Sequence, residues 1–253
     1  MRRLLAIITA TGLIGTQDAT ASDDVLIAVA SNFVPTATEL VERFNETTDY
    51  RATLSSGSTG KLYAQIVNGA PYDVFLSADA SRPALLEQQG QAVPDSRFTY
   101  AVGALLLWAR NVDGGGDTCI DAFLDDRSSR ISIANPKIAP YGAAAQEYLQ
   151  QAGLWEDAVD RLIIGENISQ TLQFVSAGGA SFGFIAAAQA PFISPNACLW
   201  EVPTTLYAPI RQQAVLLSRS RDSEAANAFM SFLRGDGQAI VVDRGYTSET
   251  ISE

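Results

Sequence analysis

From residue 24 onward, short apolar runs alternate with segments whose apolar residues recur at helical spacing. "DVLIAVA", Asp24 to Ala30, reads as a buried strand. "SNFVPTATELVERFNE" then places Val34, Ala37, Leu40, Val41 and Phe44 on one helix face. Pro35 falls in its first turn, where a missing N–H costs little. A strand in "YRATLS", a helix from Gly60 with Leu62 and Ile66 on one face, and the strand "YDVFLSA" follow. Strands separated by helices of this length predict parallel βαβ units and an α/β fold.

A second series repeats the pattern with different side chains. "FTYAVGALLLWAR" reads as one long strand, ending in the glycine-rich surface turn "NVDGGGDTC". "ISIANP", a helix from Tyr141 to Gln151, "RLIIGEN", a helix from Ile168 to Ala177 and "SFGFIAA" complete a βαβαβ unit. After "YAPIRQQAVLLS" the chain closes on helical "SEAANAFMSFL" and a segment around "GQAIVVDRGY". Two such series in 253 residues predict two lobes. Residues 22–103 plus 213–253 would form the first and 104–212 the second, with the runs Ala101–Arg110 and Pro209–Ser218 as crossing strands.

Charge and composition narrow the partners. Lys and Arg number 17 against 28 Asp and Glu, so nucleic acid and anionic membrane surfaces are repelled. There is no histidine, which removes the commonest metal ligand, the commonest general base and any Ser-His-Asp scheme. No spacing suggests direct metal coordination, and no cofactor is implied.

The N-terminus carries Arg2 and Arg3, an apolar core from Leu4 to Gly15 and the small-residue signal Ala19-Thr20-Ala21. That three-part pattern predicts export with cleavage after about Ala21, so residues 1–21 are read as a signal peptide. The apolar core is shorter than the roughly 20 residues a spanning helix needs. Cys119 and Cys198 are the only cysteines, and in an exported chain they are expected to form a disulfide.

Open α/β sheets bind ligands where strands feed helix N-termini, whose free N–H groups and partial positive charge suit an anion. Four such junctions share small or hydroxyl-bearing residues: "VASN" at Ser31, "GSTG" at Ser58 and Thr59, "APYG" at Tyr141 and "ENIS" at Ile168. Taken singly, each reads as ordinary N-capping. Together they describe a cleft of N–H and O–H donors without a base. Such a cleft suits a fully deprotonated oxyanion such as sulfate, molybdate or tungstate. Monohydrogen phosphate carries a proton and would want a carboxylate acceptor, and Glu166 is the single acid within these motifs.

"LSSGSTGK", Leu54 to Lys61, admits two catalytic readings. A phosphate-cradling P-loop fails because Ser55 stands where its first glycine belongs and Leu62 follows the lysine. Ser58 to Lys61 fits the S-x-x-K of serine acyl-transferases, but the companion S-D-N and K-T-G elements are missing. The nearest approaches are Ser194-Pro195-Asn196 and the context of Lys137. Under the binding reading Lys61 points to solvent from its helix.

The blocks "AVASNF", "GSTGKLYAQIVNGAPYDVFLSADASRP", "ISIANPKIAPYGAAAQEYL", "GENISQTLQFVSAGGASFGFIAA" and "YAPIRQQAVLL" resemble, in order, the periplasmic molybdate-binding proteins, capture components of ATP-driven importers. The resemblance implies a two-lobed type II periplasmic-binding-protein fold with crossing hinge strands. It further implies a soluble periplasmic monomer, not an enzyme, that holds molybdate or tungstate and passes it to a membrane permease. Carried over by motif, the ligand hydroxyls fall on Ser31 and on Thr59, with Ser58 beside it, and the backbone donors on Tyr141 and Ile168. Where some relatives add a tyrosine hydroxyl this chain has Ala186. The alternatives are a binder of another tetrahedral oxyanion such as sulfate, and the S-x-x-K serine hydrolase.

Overall fold

A computed structural model describes residues 24–247. The expected signal segment, through Ala21, lies outside the described residues. The first series forms β1 (Asp24–Ala30), α1 (Val34–Thr47), β2 (Arg51–Gly57), α2 (Thr59–Val67), β3 (Val74–Ser77), α3 (Ser81–Gln88) and β4 (Phe98–Gly103). Next come β5 (Leu105–Ala109), α4 (Asp117–Asp125), β6 (Ile131–Ala134), α5 (Pro140–Gln151), α6 (Trp155–Ala158), β7 (Leu162–Gly165), α7 (Ile168–Ser176), β8 (Phe182–Ala186) and β9 (Cys198–Glu201). The chain ends on β10 (Ile210–Leu216), α8 (Glu224–Arg234) and α9 (Gly237–Asp243).

Two five-stranded sheets result, ordered β2-β1-β3-β10-β4 and β7-β6-β8-β5-β9. In the first, β1 pairs parallel with β2 and β3, while β10 runs antiparallel to β3 and β4. In the second, β6 pairs parallel with β7 and β8, while β5 runs antiparallel to β8 and β9. The parallel strands β3 and β6 are buried along their whole length, because helices cover both faces of each sheet. Val25, Ile27 and Val29 pack under Leu40 and Phe44 of α1 and Phe229 of α8 on one face of the first sheet. Phe75 packs with Leu62 and Leu86 of α2 and α3 on the other. Burying a side chain of this size contributes on the order of 1.5–3 kcal/mol.

The run expected as one long strand, Phe98 to Arg110, crosses between sheets and is broken at Ala104 into β4 and β5. The chain returns just ahead of β10, which lies wholly in the first sheet. Cys119 on α4 and Cys198 on β9 are joined by a disulfide, 79 residues apart in sequence, and both belong to the second sheet's side. Among the described residues no helix is long and apolar enough to cross a membrane.

Candidate functional site

The carboxyl ends of β1, β2 and β3 face the starts of α5 and α7 across the gap between the sheets. A small pocket lies between them, with about 190 Å³ of empty space counting its opening to solvent. All five residues singled out in the sequence line it: Ser31, Ser58 and Thr59 from the first sheet's side, Tyr141 and Ile168 from the second's. Each is buried, from 1% exposed for Thr59 and Tyr141 to 8% for Ser31. Asn32, which follows Ser31, lines it as well and was not anticipated. None of the lining residues carries a charged side chain. Among the described residues no cluster of three or more His, Cys, Asp or Glu could hold a metal ion.

Local chain chemistry explains each donor. Ser58 precedes α2 in extended conformation, so Thr59 opens the helix, and the N–H of Leu62 returns to Ser58 O at 3.0 Å. Thr59 Oγ1 accepts the backbone N–H of Ala78 at 3.1 Å, which leaves the hydroxyl proton free to point into the pocket. Ser58 Oγ is buried without a hydrogen-bond partner, a state that costs about 1–3 kcal/mol unless something in the pocket accepts from it. Pro140 occupies the first turn of α5, so the N–H of Tyr141 follows a residue that has none and itself lacks an intrahelical partner. At α7 the side chain of Asn167 caps Gln170 N at 3.0 Å, leaving the N–H of Ile168 to the pocket. The N-termini of α2, α5 and α7 thus converge on one small volume and add partial positive charge without a cation. The structure places Ala186 at the end of β8, with its N–H bonded to Gln189 Oε1 at 3.0 Å.

The two sides touch directly around the pocket. The N–H of Gly60 donates to Ile138 O at 2.8 Å, and Ser169 Oγ donates to Ser31 O at 3.1 Å. Arg82, ion-paired with Asp79, donates to Lys137 O at 3.2 Å. Lys61 does not point free into solvent as expected: its Nζ reaches Glu166 Oε1 at 2.8 Å, bridging the mouth of the cleft. The opposing carboxylate captures it because β7 delivers Glu166 to the start of α7, facing the first turn of α2. That pairing also removes the base the S-x-x-K reading needs, since Lys61 is committed to Glu166 and Ser58 Oγ has no partner.

A larger groove, about 890 Å³, opens alongside between α3, α5 and the approach to β10. It carries Asp79 and Glu147 beside Arg82 and Arg211, and its carboxylates would oppose an oxyanion. The small pocket is the better match for one.

Behind the pocket lies a buried polar cluster. Tyr246 donates to Asn32 O at 3.0 Å, and Tyr100 donates to Ser77 O at 3.2 Å. Burial pushes the phenols of Tyr100 and Tyr141 well above their usual range, and that of Tyr246 rises for the same reason. All three therefore stay neutral at physiological pH.

Comparison with known proteins agrees with this fold. Residues 25–247 match the family model described as bacterial extracellular solute-binding protein. The molybdate-binding protein ModA of Rhodobacter capsulatus is 42% identical over 233 residues, 90% of each chain. ModA of Azotobacter vinelandii is 40% identical over 225 residues, 84% of each chain. The solved structure of the Azotobacter vinelandii periplasmic molybdate-binding protein superposes with a TM-score of 0.82 at 37% identity, covering 89% of this chain and 100% of that one.

Proposed function

The chain belongs to the bacterial extracellular solute-binding protein family, alongside the molybdate-binding proteins, and from that premise we propose that it captures molybdate, and tungstate with it, in the cleft between its two halves. It is a substrate-binding transport component rather than an enzyme, and it works in the periplasm. Export with cleavage near Ala21, action as a monomer and delivery of the anion to the permease of an ABC importer belong to the same reading. So do lobes made of residues 22–103 with 213–253 and of 104–212, except that the first sheet carries all of β10, Ile210–Leu216, and so takes residues 210–212 with it.

The observation that carries this reading is a small pocket lined from both sides, with no charged side chain in its lining. In the reading, hydroxyls of Ser31, Ser58 and Thr59 and backbone N–H groups of Tyr141 and Ile168 surround the anion. An oxyanion that only accepts hydrogen bonds satisfies every one of them. A protonated oxyanion would find no carboxylate to accept its O–H, because none lines the pocket and Glu166 is paired with Lys61 at the mouth. Closure then follows as a population shift: the contacts of Gly60 with Ile138 and of Ser169 with Ser31 form only when the halves meet, and the anion bonds to both.

Competition titration of the purified protein with molybdate, tungstate, sulfate and phosphate tests the reading. Molybdate and tungstate should bind at least about a hundredfold more tightly than sulfate, and phosphate should not compete. Sulfate binding as tightly as molybdate would replace the substrate while keeping the site.

A further inference from the structure

One buried carboxamide reaches two of the segments that line the pocket directly, and a third through Tyr100. Gln212, on β10, is fully buried. Its Oε1 accepts from Asn32 Nδ2 at 2.8 Å and lies 3.3 Å from the Tyr100 hydroxyl, whose one proton is shared between Gln212 Oε1 and Ser77 O. Its Nε2 donates to the Tyr141 hydroxyl at 3.3 Å. Asn32 follows Ser31, Tyr100 also holds Ser77 beside the pocket residue Ala78, and Tyr141 opens α5 on the other side of the cleft.

The Tyr141 phenol enters a notch made for it. A Cβ added at Gly103 would lie 2.0 Å from the Tyr141 hydroxyl oxygen and 2.9 Å from Gln212 Nε2. Gly103 is the last residue of β4, where the chain leaves the first sheet for the second. The tip of Tyr141 is therefore fixed at a crossing point between the sheets, while its backbone N–H sits at the pocket.

We propose that Gln212 is a positioning residue for the anion site, holding the Ser31–Asn32 turn and the start of α5 in register so that donors from both sides meet one anion. The proposal rests on the oxyanion-binding function argued above. Gln212 touches no ligand. It sets the spacing between the halves, and hence the size of tetrahedral anion that all donors can reach together. Spacing matters because a hydrogen bond weakens steeply outside its normal distance and angle.

The test titrates molybdate and sulfate into the wild-type protein and into Tyr141→Phe, Gln212→Met, the double variant and Gly103→Ala, with ligand-free melting curves for each. Tyr141→Phe keeps the backbone donor and removes only the phenol oxygen. It and Gln212→Met should each weaken molybdate binding by about fivefold, and the preference for molybdate over sulfate should narrow with it. The double variant should be no weaker than Gln212→Met alone, since both remove one link. Gly103→Ala, which changes no polar group, should weaken binding more than Tyr141→Phe by driving the phenol from its notch. Single variants within twofold of wild type would overturn the proposal. So would a lower melting temperature with an unchanged anion preference, which marks a structural role only. A wild-type protein that binds sulfate but not molybdate would overturn the substrate while the sulfate titrations still decide the role of Gln212. A wild-type protein that binds neither anion would overturn both.

Discussion

Thr59 Oγ1 accepts the backbone N–H of Ala78 at 3.1 Å, so the ends of β2 and β3 are tied together by the hydroxyl that also faces the pocket. An oxygen already accepting has its proton left to give, and the pocket is where it can go. The bond thus aims Thr59 as a donor. Ser58 is aimed by the opposite circumstance, a buried hydroxyl with no partner in the protein.

Removing these hydroxyls should weaken anion binding. Ser31→Ala, Ser58→Ala and Thr59→Val should each cost molybdate affinity about ten- to a hundredfold, the scale of a hydrogen bond to a charged group. Thr59→Val should also lower stability, because the Ala78 N–H loses its acceptor. Calorimetric titrations unchanged in all three variants would refute the site assignment.

Gly60→Ala separates folding from closure. A Cβ there would lie 3.0 Å from both Cα and Cβ of Ile138 across the cleft, and backbone cannot yield cheaply. Within α2 the same change favours the helix by up to about 1 kcal/mol. The variant should melt at the same or a higher temperature without ligand, yet bind molybdate about tenfold more weakly. Affinity equal to wild type would show that the halves need not approach this closely.

The Lys61–Glu166 bridge should act as a weak latch. Both side chains are about half exposed, at 52% and 48%, and such pairs contribute about 0–1 kcal/mol. Lys61→Met and Glu166→Gln should both weaken binding by no more than about fivefold, and the difference should vanish near 1 M salt. If Lys61 instead attracts the anion by its charge, Glu166→Gln would strengthen binding while Lys61→Met weakens it. Opposite signs in the two titrations would dismiss the latch.

The disulfide should matter for stability and not for binding. Its 79-residue separation corresponds to about 4.5 kcal/mol in the chain-entropy model, and both cysteines lie on the second sheet's side. Replacing both cysteines by Ala should lower the melting temperature and leave molybdate affinity within about twofold. A large loss of affinity in a protein that still folds would mean the bridge shapes the cleft.

Alkali should unfold the protein through its buried phenols. Tyr148 is pushed up to about 12 by burial, and Tyr100 and Tyr141 stand well above the ordinary value of about 10 for the same reason. Unfolded tyrosines deprotonate first, so the stabilisation is complete below about pH 10 and is lost as pH rises through the folded values. Denaturant unfolding should give a smaller free energy at pH 11 than at pH 8, and an equal or larger one would contradict the assignment. With no histidine in the chain, molybdate affinity should stay level between about pH 6 and 9.

Some elements were invisible along the chain for identifiable reasons. The strand β9 is four residues long, and its existence depends on pairing with β5. Polar and apolar residues share no clear face in α3, so its periodicity gives no signal. The sequence suggested one strand from Phe98 to Arg110 because the run is apolar and rich in strand formers apart from Gly103. Only the requirement that β4 and β5 enter different sheets breaks it at Ala104. Lys61 was misjudged because its partner, Glu166, is 105 residues away.

What the sequence determined by itself was local: alternating strands and helices, hydroxyls and small residues at four strand-to-helix junctions, and a charge balance and histidine content that exclude whole chemistries. Each follows from neighbours a few residues apart, through periodicity, capping and the free N–H groups of a helix start. Tertiary structure decided which of those donors share one pocket, that Lys61 meets Glu166, and that Gln212 joins Asn32 to Tyr141. Those relations depend on how two sheets pack through crossings at Ala104 and before Ile210, and no local pattern encodes the distance between side chains 180 residues apart.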